Sequence, residues 1–480
     1  MTTTTRTALR RASARTRVSP PAGTNAAPLR RASARTRVSP PAGTNAAPLR
    51  RASARIRVAP KPQPRKPQPR KPQPRKPQTR TSQSQKAQAQ KVEGQKVEGQ
   101  KARSQKAQRS RKVTPSGARL SMMIGLVTIA LTLFGLVMVL SASSVTSVHQ
   151  FEASPFYQFQ RQAAWAAIGG FAYFVARRID YRMLQRFAPA FLGGAVLLLV
   201  AVLIPGVGRN INGSSRWLGV GPLVIQPSEI AKLVMIVFIA DVLTRRAKKM
   251  DRPELTVRPV VTVVGLLSVL MILQPKLGTP LILAAVAMLM LFLAGARISS
   301  LASWAAVGVL GAALMAYAVP YRRARLLAFI DPWADPYGIG LQTIQSQVGI
   351  ASGGLFGVGL GAGRTKWGFL PYAHSDFIFA IVAEEVGLIG AATLITAFLL
   401  LGYLGVRTAL NAPDRFGMLL AAGITGWLLI QAFLNIGMAM GLLPITGEPL
   451  PFVSAGGSSL VMTLGAVGLL ANIARQTRRS

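Results

Sequence analysis

The sequence predicts an all-α polytopic membrane protein with about ten transmembrane helices, cytoplasmic N- and C-termini and a long disordered basic N-terminal tail. Apolar segments of about 20 residues recur from Leu120 onward, which is the length needed to cross a hydrocarbon core. No segment alternates with a period of two for long enough to form a barrel strand, so helices are favoured. The chain has 480 residues and no Cys, which excludes disulfides, thiolate metal sites and a Cys nucleophile.

Residues 1–119 form a tail of different composition, with 31 Lys and Arg against only Glu93 and Glu98. The stretch "LRRASARTRVSPPAGTNAAP" at 9–28 recurs unchanged at 29–48, and "KPQPR" units follow. Few apolar residues and many prolines predict disorder.

Three interpretations of the tail stay open. It could be a solvated cytoplasmic segment, it could bind anionic lipids of the inner leaflet, or it could bind nucleic acid. Nucleic acid is the weakest of the three, because residues 1–119 contain no aromatic side chain on which bases could stack.

The second predicted domain, residues 120–480, contains the spans. We place them at roughly 120–142, 162–177, 187–205, 228–244, 258–274, 278–296, 300–320, 376–406, 416–443 and 456–474. With the tail in the cytoplasm, inner segments hold 16 Lys and Arg and outer segments hold 9, as the positive-inside rule requires. The longest outer loop, about 322–375, is long enough to be functional.

Charged residues at the start of the fourth span are candidates for function, because charge within a bilayer is costly. Glu229 and Lys232 in "QPSEIAK" are three residues apart and share one helix face. Their pairing is either a purely structural ion pair or part of a site. In the loop before this span, Arg216 could grip a phosphate, and Trp217 beside it is either an interfacial anchor or part of the same site.

The stretch "AHSDFIFAIVAEEVG" at the start of the eighth span holds three carboxylates. Asp376 is expected at the outer interface, either as a helix N-cap or as a functional acid. Glu384 and Glu385 point in different directions, so at most one should share the face of Asp376. They suit either a proton relay or helix pairing through buried acids. His374 is a candidate base or an ordinary hydrogen-bonding residue.

The glycine-rich run before this stretch is predicted to let backbone approach closely. It is not a dinucleotide loop, because no βαβ unit surrounds it. Arg364 and Lys366 follow the run and supply positive charge close to Asp376 in sequence. A last polar turn, "LPITGEPLPFVSAGGSSL", offers hydroxyls of Ser454 and Ser458 at the same outer face.

These segments together resemble the SEDS family (shape, elongation, division and sporulation) from about Leu120 to Arg479. The motifs are "NGSSRWLGVGPLVIQPSEIAK", "DPWADPYGIGLQTIQSQVGIASGGLFGVGLG", "LPYAHSDFIFAIVAEEVGLIG" and "LPITGEPLPFVSAGGSSL". The resemblance is strongest to the division branch, with the elongation branch second. It implies a peptidoglycan glycosyltransferase that polymerises lipid II outside the cytoplasmic membrane of bacteria. A class B penicillin-binding protein and other divisome proteins at the septum would be its partners.

The resemblance assigns the essential acid of the family's "HTDFIF" motif to Asp376. The family's Glu–Lys and Arg-Trp pairs fall on Glu229 with Lys232 and on Arg216 with Trp217. Two positions depart from the family pattern. Lys276 replaces the acid of "QPDLGT", so that this acid is dispensable or the charge nearby is rebalanced. Ala455 replaces the Tyr of "SYGGSS".

Sugar transfer from a lipid diphosphate needs a base for the acceptor hydroxyl and positive charge for the leaving diphosphate. We therefore expect Asp376 to be catalytic. The expected substrate-binding residues are Arg216, Trp217, Glu229, Lys232, Arg364, Lys366, Ser454 and Ser458, with a divalent cation (Mg²⁺ or Mn²⁺) as a possible helper. Two rival hypotheses are a lipid II flippase that uses Glu384 or Glu385 as a proton relay, and a non-catalytic scaffold.

Overall fold

The structure is a computed structural model, and it describes residues 115–151, 154–211, 214–220, 223–250, 252–274, 276 and 278–477. The tail predicted at 1–119 lies outside the described residues, except for residues 115–119, which are helical. The first helix begins at Pro115.

Twelve α-helices make up most of the described part of the chain. They are α1 (Pro115–Phe151), α2 (Tyr157–Arg178), α3 (Arg182–Leu203), α4 (Pro227–Arg245), α5 (Pro253–Leu273), α6 (Gly278–Leu293), α7 (Ile298–Ala318), α8 (Pro320–Ile330), α9 (Leu341–Ser352), α10 (Ile378–Leu410), α11 (Arg415–Ala439) and α12 (Gly457–Arg475).

Each of the ten predicted apolar segments falls on one of these helices, and the chain is a polytopic membrane protein. Within the described residues, six helices are long and apolar enough to cross a membrane: α1, α3, α5, α10, α11 and α12. Helices α6 and α7 carry shorter apolar stretches. The full count of ten spans stays a prediction.

We expected an all-α fold, but the loop between α3 and α4 folds into a small sheet. Strands β1 (Arg209–Ile211), β2 (Ser214–Val220) and β3 (Leu223–Ile225) pair antiparallel in that order. An Asn-Gly dipeptide separates β1 from β2 in the sequence, and this pair is a strong hairpin signal. The expected long loop at 322–375 also has regular structure, since it contains α9 and most of α8.

Helix α12 lies against α1 and α2, and most of its side chains are buried. Small residues allow the close approach: a methyl group at Gly468 would lie 2.5 Å from the carbonyl oxygen of Tyr173 on α2. Such contacts through small residues are how helices associate when lipid removes the usual hydrophobic driving force.

Helix α10 is interrupted at Gly387, whose φ of 73° and ψ of −170° are not helical. The glycine-rich segment after α9 runs alongside this break. Val358 donates its backbone N–H to the carbonyl of Glu384 at 3.0 Å, and Gly359 donates to that of Glu385 at 3.1 Å. The segment thereby satisfies carbonyls that the broken helix cannot, as an apolar environment requires.

We predict that Gly357→Ala destabilises the protein much more than Gly361→Ala does. Both glycines have positive φ, 80° and 83°, so the conformational cost of alanine, about 1–2 kcal/mol, is common to the two variants. Only at Gly357 would the added methyl overlap the carbonyl of Glu385, whereas Gly361 faces open space. Thermal unfolding in detergent measures the difference, and equal midpoints would contradict the packing seen here.

Candidate active site

Asp376 lies two residues before α10, and its side chain is partly exposed. The N-cap residue is Phe377, so the interpretation of Asp376 as the helix cap is wrong. Instead, Tyr372 turns the chain with an unusual φ of 58°, and its carbonyl accepts the backbone N–H of Asp376 at 3.0 Å. A non-glycine residue held in this region is uncommon and often marks a functional site.

Four buried charges form a cluster next to this turn, which we call the charge cluster: Glu229, Lys232, Lys276 and Glu448. Lys232 Nζ lies 2.9 Å from Glu229 and 3.3 Å from Glu448. Lys276 Nζ lies 3.1 Å from Glu448 and 3.5 Å from Glu229. Each residue is at most 4% exposed. Because two cations face two anions, the cluster has no formal net charge, which makes its burial tolerable.

Helix α11 holds the charge cluster and Asp376 in one arrangement through two amides one turn apart. Gln431 accepts a hydrogen bond from Lys232 Nζ at 2.9 Å and donates to the carbonyl of Pro449 at 2.8 Å. Asn435 Nδ2 donates to the carbonyl oxygens of both Asp376 and Glu448, each at 2.8 Å. One side chain therefore fixes the backbone of the candidate base against that of the buried acid.

Burial raises the pKa of the Asp376 carboxyl from its usual 3.8 to about 6, and the negative charge of Glu448 adds to this effect. The positive charges of Arg325 and Lys276 act in the opposite direction. Burial also lowers the pKa of His374, which favours the neutral ring. A base whose pKa lies near neutrality suits proton transfer at physiological pH.

Glu448 behaves differently from Asp376 although it is more deeply buried. Burial alone would raise the pKa of its carboxyl, but Lys276 and Lys232 hold that pKa well below the usual range. The Thr279 hydroxyl also donates to this carboxylate. Glu448 is thus kept ionised by its two lysine partners, whereas the pKa of Asp376 is raised to about 6.

Arg216 and Trp217 lie on β2, and both are partly exposed. Arg216 Nε donates to the carbonyl of Gln274 at 2.7 Å, two residues before Lys276. Arg216, a predicted substrate-binding residue, therefore lies at the same end of the bundle as the charge cluster.

Lys366 lies in a separate cluster. Its Nζ is 2.7 Å from Glu385 and 3.1 Å from the Ser141 hydroxyl on α1, and Lys366 is only 4% exposed. Glu384 accepts from the backbone of Arg364 at 2.7 Å and from Thr365. Substrate binding by Lys366 would require breaking its ion pair with Glu385, so the contacts do not support the predicted role of Lys366. Arg364, in contrast, is exposed.

Glu384 and Glu385 of α10 are both buried. Glu384 faces the loop at Arg364, and Glu385 faces Ser141 of α1. Of the two interpretations left open, these contacts fit pairing through buried acids. Ser454 and Ser458 are also buried, and their hydroxyls accept the backbone N–H groups of Leu450 at 2.8 Å and Gln226 at 3.3 Å. Both hydroxyls thus serve the fold, and a role in substrate binding stays a prediction.

Among the described residues, no group of three or more His, Asp and Glu side chains is placed to hold a metal ion. A cage made of protein side chains alone therefore does not fit this part of the chain. Mg²⁺ usually needs only one or two carboxylates together with phosphates of a substrate, so the divalent cation stays a prediction.

Sequence reasoning missed Glu448, Gln431 and Asn435. Glu448 stands between Gly447 and Pro449 in a segment that we valued only for its Ser and Gly residues. Gln431 and Asn435 are spaced four apart in an apolar helix, and that spacing of two amides was the available signal.

The chain belongs to the FtsW/RodA/SpoVE family of cell cycle proteins, whose model matches residues 121–479. It is 43% identical over 360 residues to a probable peptidoglycan glycosyltransferase FtsW of Geobacter metallireducens, covering 75% of this chain and 96% of the relative. It is 41% identical to stage V sporulation protein E of Bacillus subtilis, covering 74% and 97%.

Two solved structures resemble the fold. One comes from work on the "structural coordination of polymerization and crosslinking by a peptidoglycan synthase complex", with a TM-score of 0.61 and 29% identity over 73% of this chain and 96% of that one. The other is the rod shape determining protein RodA of Thermus thermophilus, with a TM-score of 0.55 and 28% identity over 74% and 97%.

We predict that Lys232→Met destabilises the protein by about 3–5 kcal/mol, because it leaves Glu229 and Glu448 with one ammonium group between them in a buried site. Lys248→Met, at an exposed lysine after α4, is the matched control and should change stability by less than about 0.5 kcal/mol. Unfolding midpoints in detergent compare the two, and equal midpoints would show that the charge cluster does not stabilise the fold.

Proposed function

We propose that this protein is a peptidoglycan glycosyltransferase that polymerises lipid II into glycan strands at the outer face of the cytoplasmic membrane during cell division. Membership of the FtsW/RodA/SpoVE family and similarity to a probable enzyme of this activity support the proposal. The observation that carries it is the position of Asp376, a partly exposed carboxylate that Asn435 holds beside the buried charge cluster.

In the proposed reaction, ionised Asp376 removes the proton from the acceptor 4-hydroxyl. That oxygen attacks the anomeric carbon of the donor, the bond to the diphosphate breaks, and the configuration inverts. The diphosphate is already a good leaving group, so no general acid is needed. Arg216 and Arg364 would stabilise its negative charge, and the exposure of both residues supports this role.

We infer ten spans with both termini in the cytoplasm, which puts Asp376 at the outer interface. The coincidence of all ten apolar segments with helices supports this topology, as does the excess of basic residues in the inner loops. The basic tail then lies on the side of the anionic inner leaflet and would bind it.

The proposed partners are a class B penicillin-binding protein and other divisome membrane proteins at the septum. One related structure was described in terms of both polymerization and crosslinking, which supports a crosslinking partner. The alternative is an elongation enzyme, since RodA has the same fold. Localisation to the septum or to the side wall separates the two.

The rival flippase needs a proton relay through Glu384 or Glu385. In the structure, Glu384 accepts from Thr365 and Glu385 is paired with Lys366, so neither lies open to a proton path without rearrangement. Polymerisation by the purified protein in detergent, where no leaflets exist, would favour the enzyme over the flippase.

We predict that Asp376→Asn reduces polymerisation of lipid II by at least about 100-fold, because the amide keeps the shape but cannot accept the proton. Asp331→Asn is the matched control: it lies before the short turn at 332–334, accepts from the backbone of Trp333, and keeps an acceptor oxygen as Asn. Gel analysis of glycan strands made by purified protein measures both. A fully active Asp376→Asn variant refutes the role of Asp376 as the base. If the protein is a non-catalytic scaffold, neither the wild-type protein nor the Asp331→Asn control will polymerise lipid II.

We also predict that the polymerisation rate falls as the pH drops through about 6. The folded pKa of Asp376 is raised above its usual value, so the ionised base is abundant above that pH and is lost below it. The rate should drop about tenfold per pH unit on the acid side. Initial rates at saturating lipid II give this profile, and samples returned to neutral pH control for unfolding. A decline beginning only near pH 4 contradicts the assignment.

A further inference from the structure

We propose that Lys276 and Glu448 form an ion pair of positioning residues whose charges act on Asp376 in opposite directions, so that neither can be neutralised alone without changing the base. The inference rests on the proposed role of Asp376 and names two residues that act through it.

The pair is built from two separate parts of the chain. Lys276 lies between α5 and α6, and Glu448 lies between α11 and α12. Lys276 Nζ is 3.1 Å from Glu448 Oε1, and the Thr279 hydroxyl donates to the same oxygen. Lys276 also contacts the Ser228 hydroxyl at 3.2 Å, and it is 4% exposed while Glu448 is fully buried.

Two structural features connect Glu448 with Asp376, and Lys276 is connected through its ion pair with Glu448. A methyl group at Gly447, the residue before Glu448, would lie 3.7 Å from Asp376 Oδ2. Asn435 holds the carbonyls of Asp376 and Glu448 with a single amide. Glu448 and Lys276 also act on the Asp376 carboxyl with opposite signs.

The other charged groups near Asp376 are not altered by substitutions at Lys276 or Glu448. Arg325 of α8 acts on Asp376 in the same direction as Lys276, and burial favours the neutral ring of His374. Glu229 and Lys232 of α4 pair with each other and with the two proposed residues. Neutralising Lys276 leaves the Glu448 charge under-compensated, and neutralising Glu448 leaves Lys276 in excess.

The test is the pH profile of lipid II polymerisation for Lys276→Met, Glu448→Gln and the double variant. Lys276→Met should lower the rate near pH 6 about tenfold relative to the rate near pH 8, because the base becomes harder to ionise. Glu448→Gln should move the acid limb in the opposite direction. The double variant should place the limb between those of the two single variants, since both charges are then gone.

A second readout does not depend on activity. Infrared spectra recorded against pH show protonated carboxyl groups, and the band that disappears in Asp376→Asn belongs to Asp376. This band should titrate at a higher pH in Lys276→Met and at a lower pH in Glu448→Gln. Thermal unfolding checks that each variant is folded. A variant that does not fold is replaced by Lys276→Gln or Glu448→Met.

Unmoved acid limbs and an unmoved band in the single variants overturn the inference, as does a double variant whose limb shift is larger than that of either single variant. An inactive wild-type protein with the infrared shifts present would refute the proposed function and leave the electrostatic coupling standing. The two failures are therefore distinguishable.

Discussion

The burial of two lysines with two glutamates is the interaction on which the rest of this structure depends. Glu229 and Lys232 come from α4, Lys276 precedes α6, and Glu448 precedes α12, so the four charges join segments far apart in sequence. An unpaired buried charge costs several kcal/mol, and the loss of any single one of the four residues leaves such a charge in the site. The helices that carry them must therefore come together as a set.

This constraint explains how a segment without helix or strand can hold a reactive group in place. Residues 440–456 have no helix or strand, yet Gln431 and Asn435 bind their backbone from α11, and Glu448 anchors them in the charge cluster. Asp376 is fixed by the same Asn435. The carboxylate can remain partly exposed because its backbone, rather than its side chain, carries the contacts that fix it.

Much of the fold could be predicted from apolar segment length and the lack of period-two alternation, because only helices and closed barrels satisfy the backbone in lipid. The ten segments from Leu120 onward each became a helix. The small sheet at 209–225 and helix α9 were missed, since short elements in polar loops depend on tertiary contacts more than on periodicity.

The candidate site could be predicted only in part. Asp376, Glu229 and Lys232 were found because charge is unusual in apolar segments, and the departure at Lys276 was noticed with rebalanced charge as one explanation. Its contact with Glu448 supports that explanation. The partner itself could not be predicted, because nothing in sequence spacing brings residue 448 to residue 276. For the same reason, Lys366 seemed close to Asp376 along the chain but pairs with Glu385 instead.

The glycine-rich segment beside the break in α10 has a consequence for how this region can diverge. Its contacts at 354–359 are made by backbone N–H and carbonyl groups, while Leu355, Phe356 and Val358 leave their side chains exposed. Exchange of those side chains for others of similar character leaves the hydrogen bonds intact. Insertion or deletion of a single residue within 354–359 would instead shift each donor past its acceptor, so the length of this stretch is under tighter constraint than the identity of its three exposed side chains.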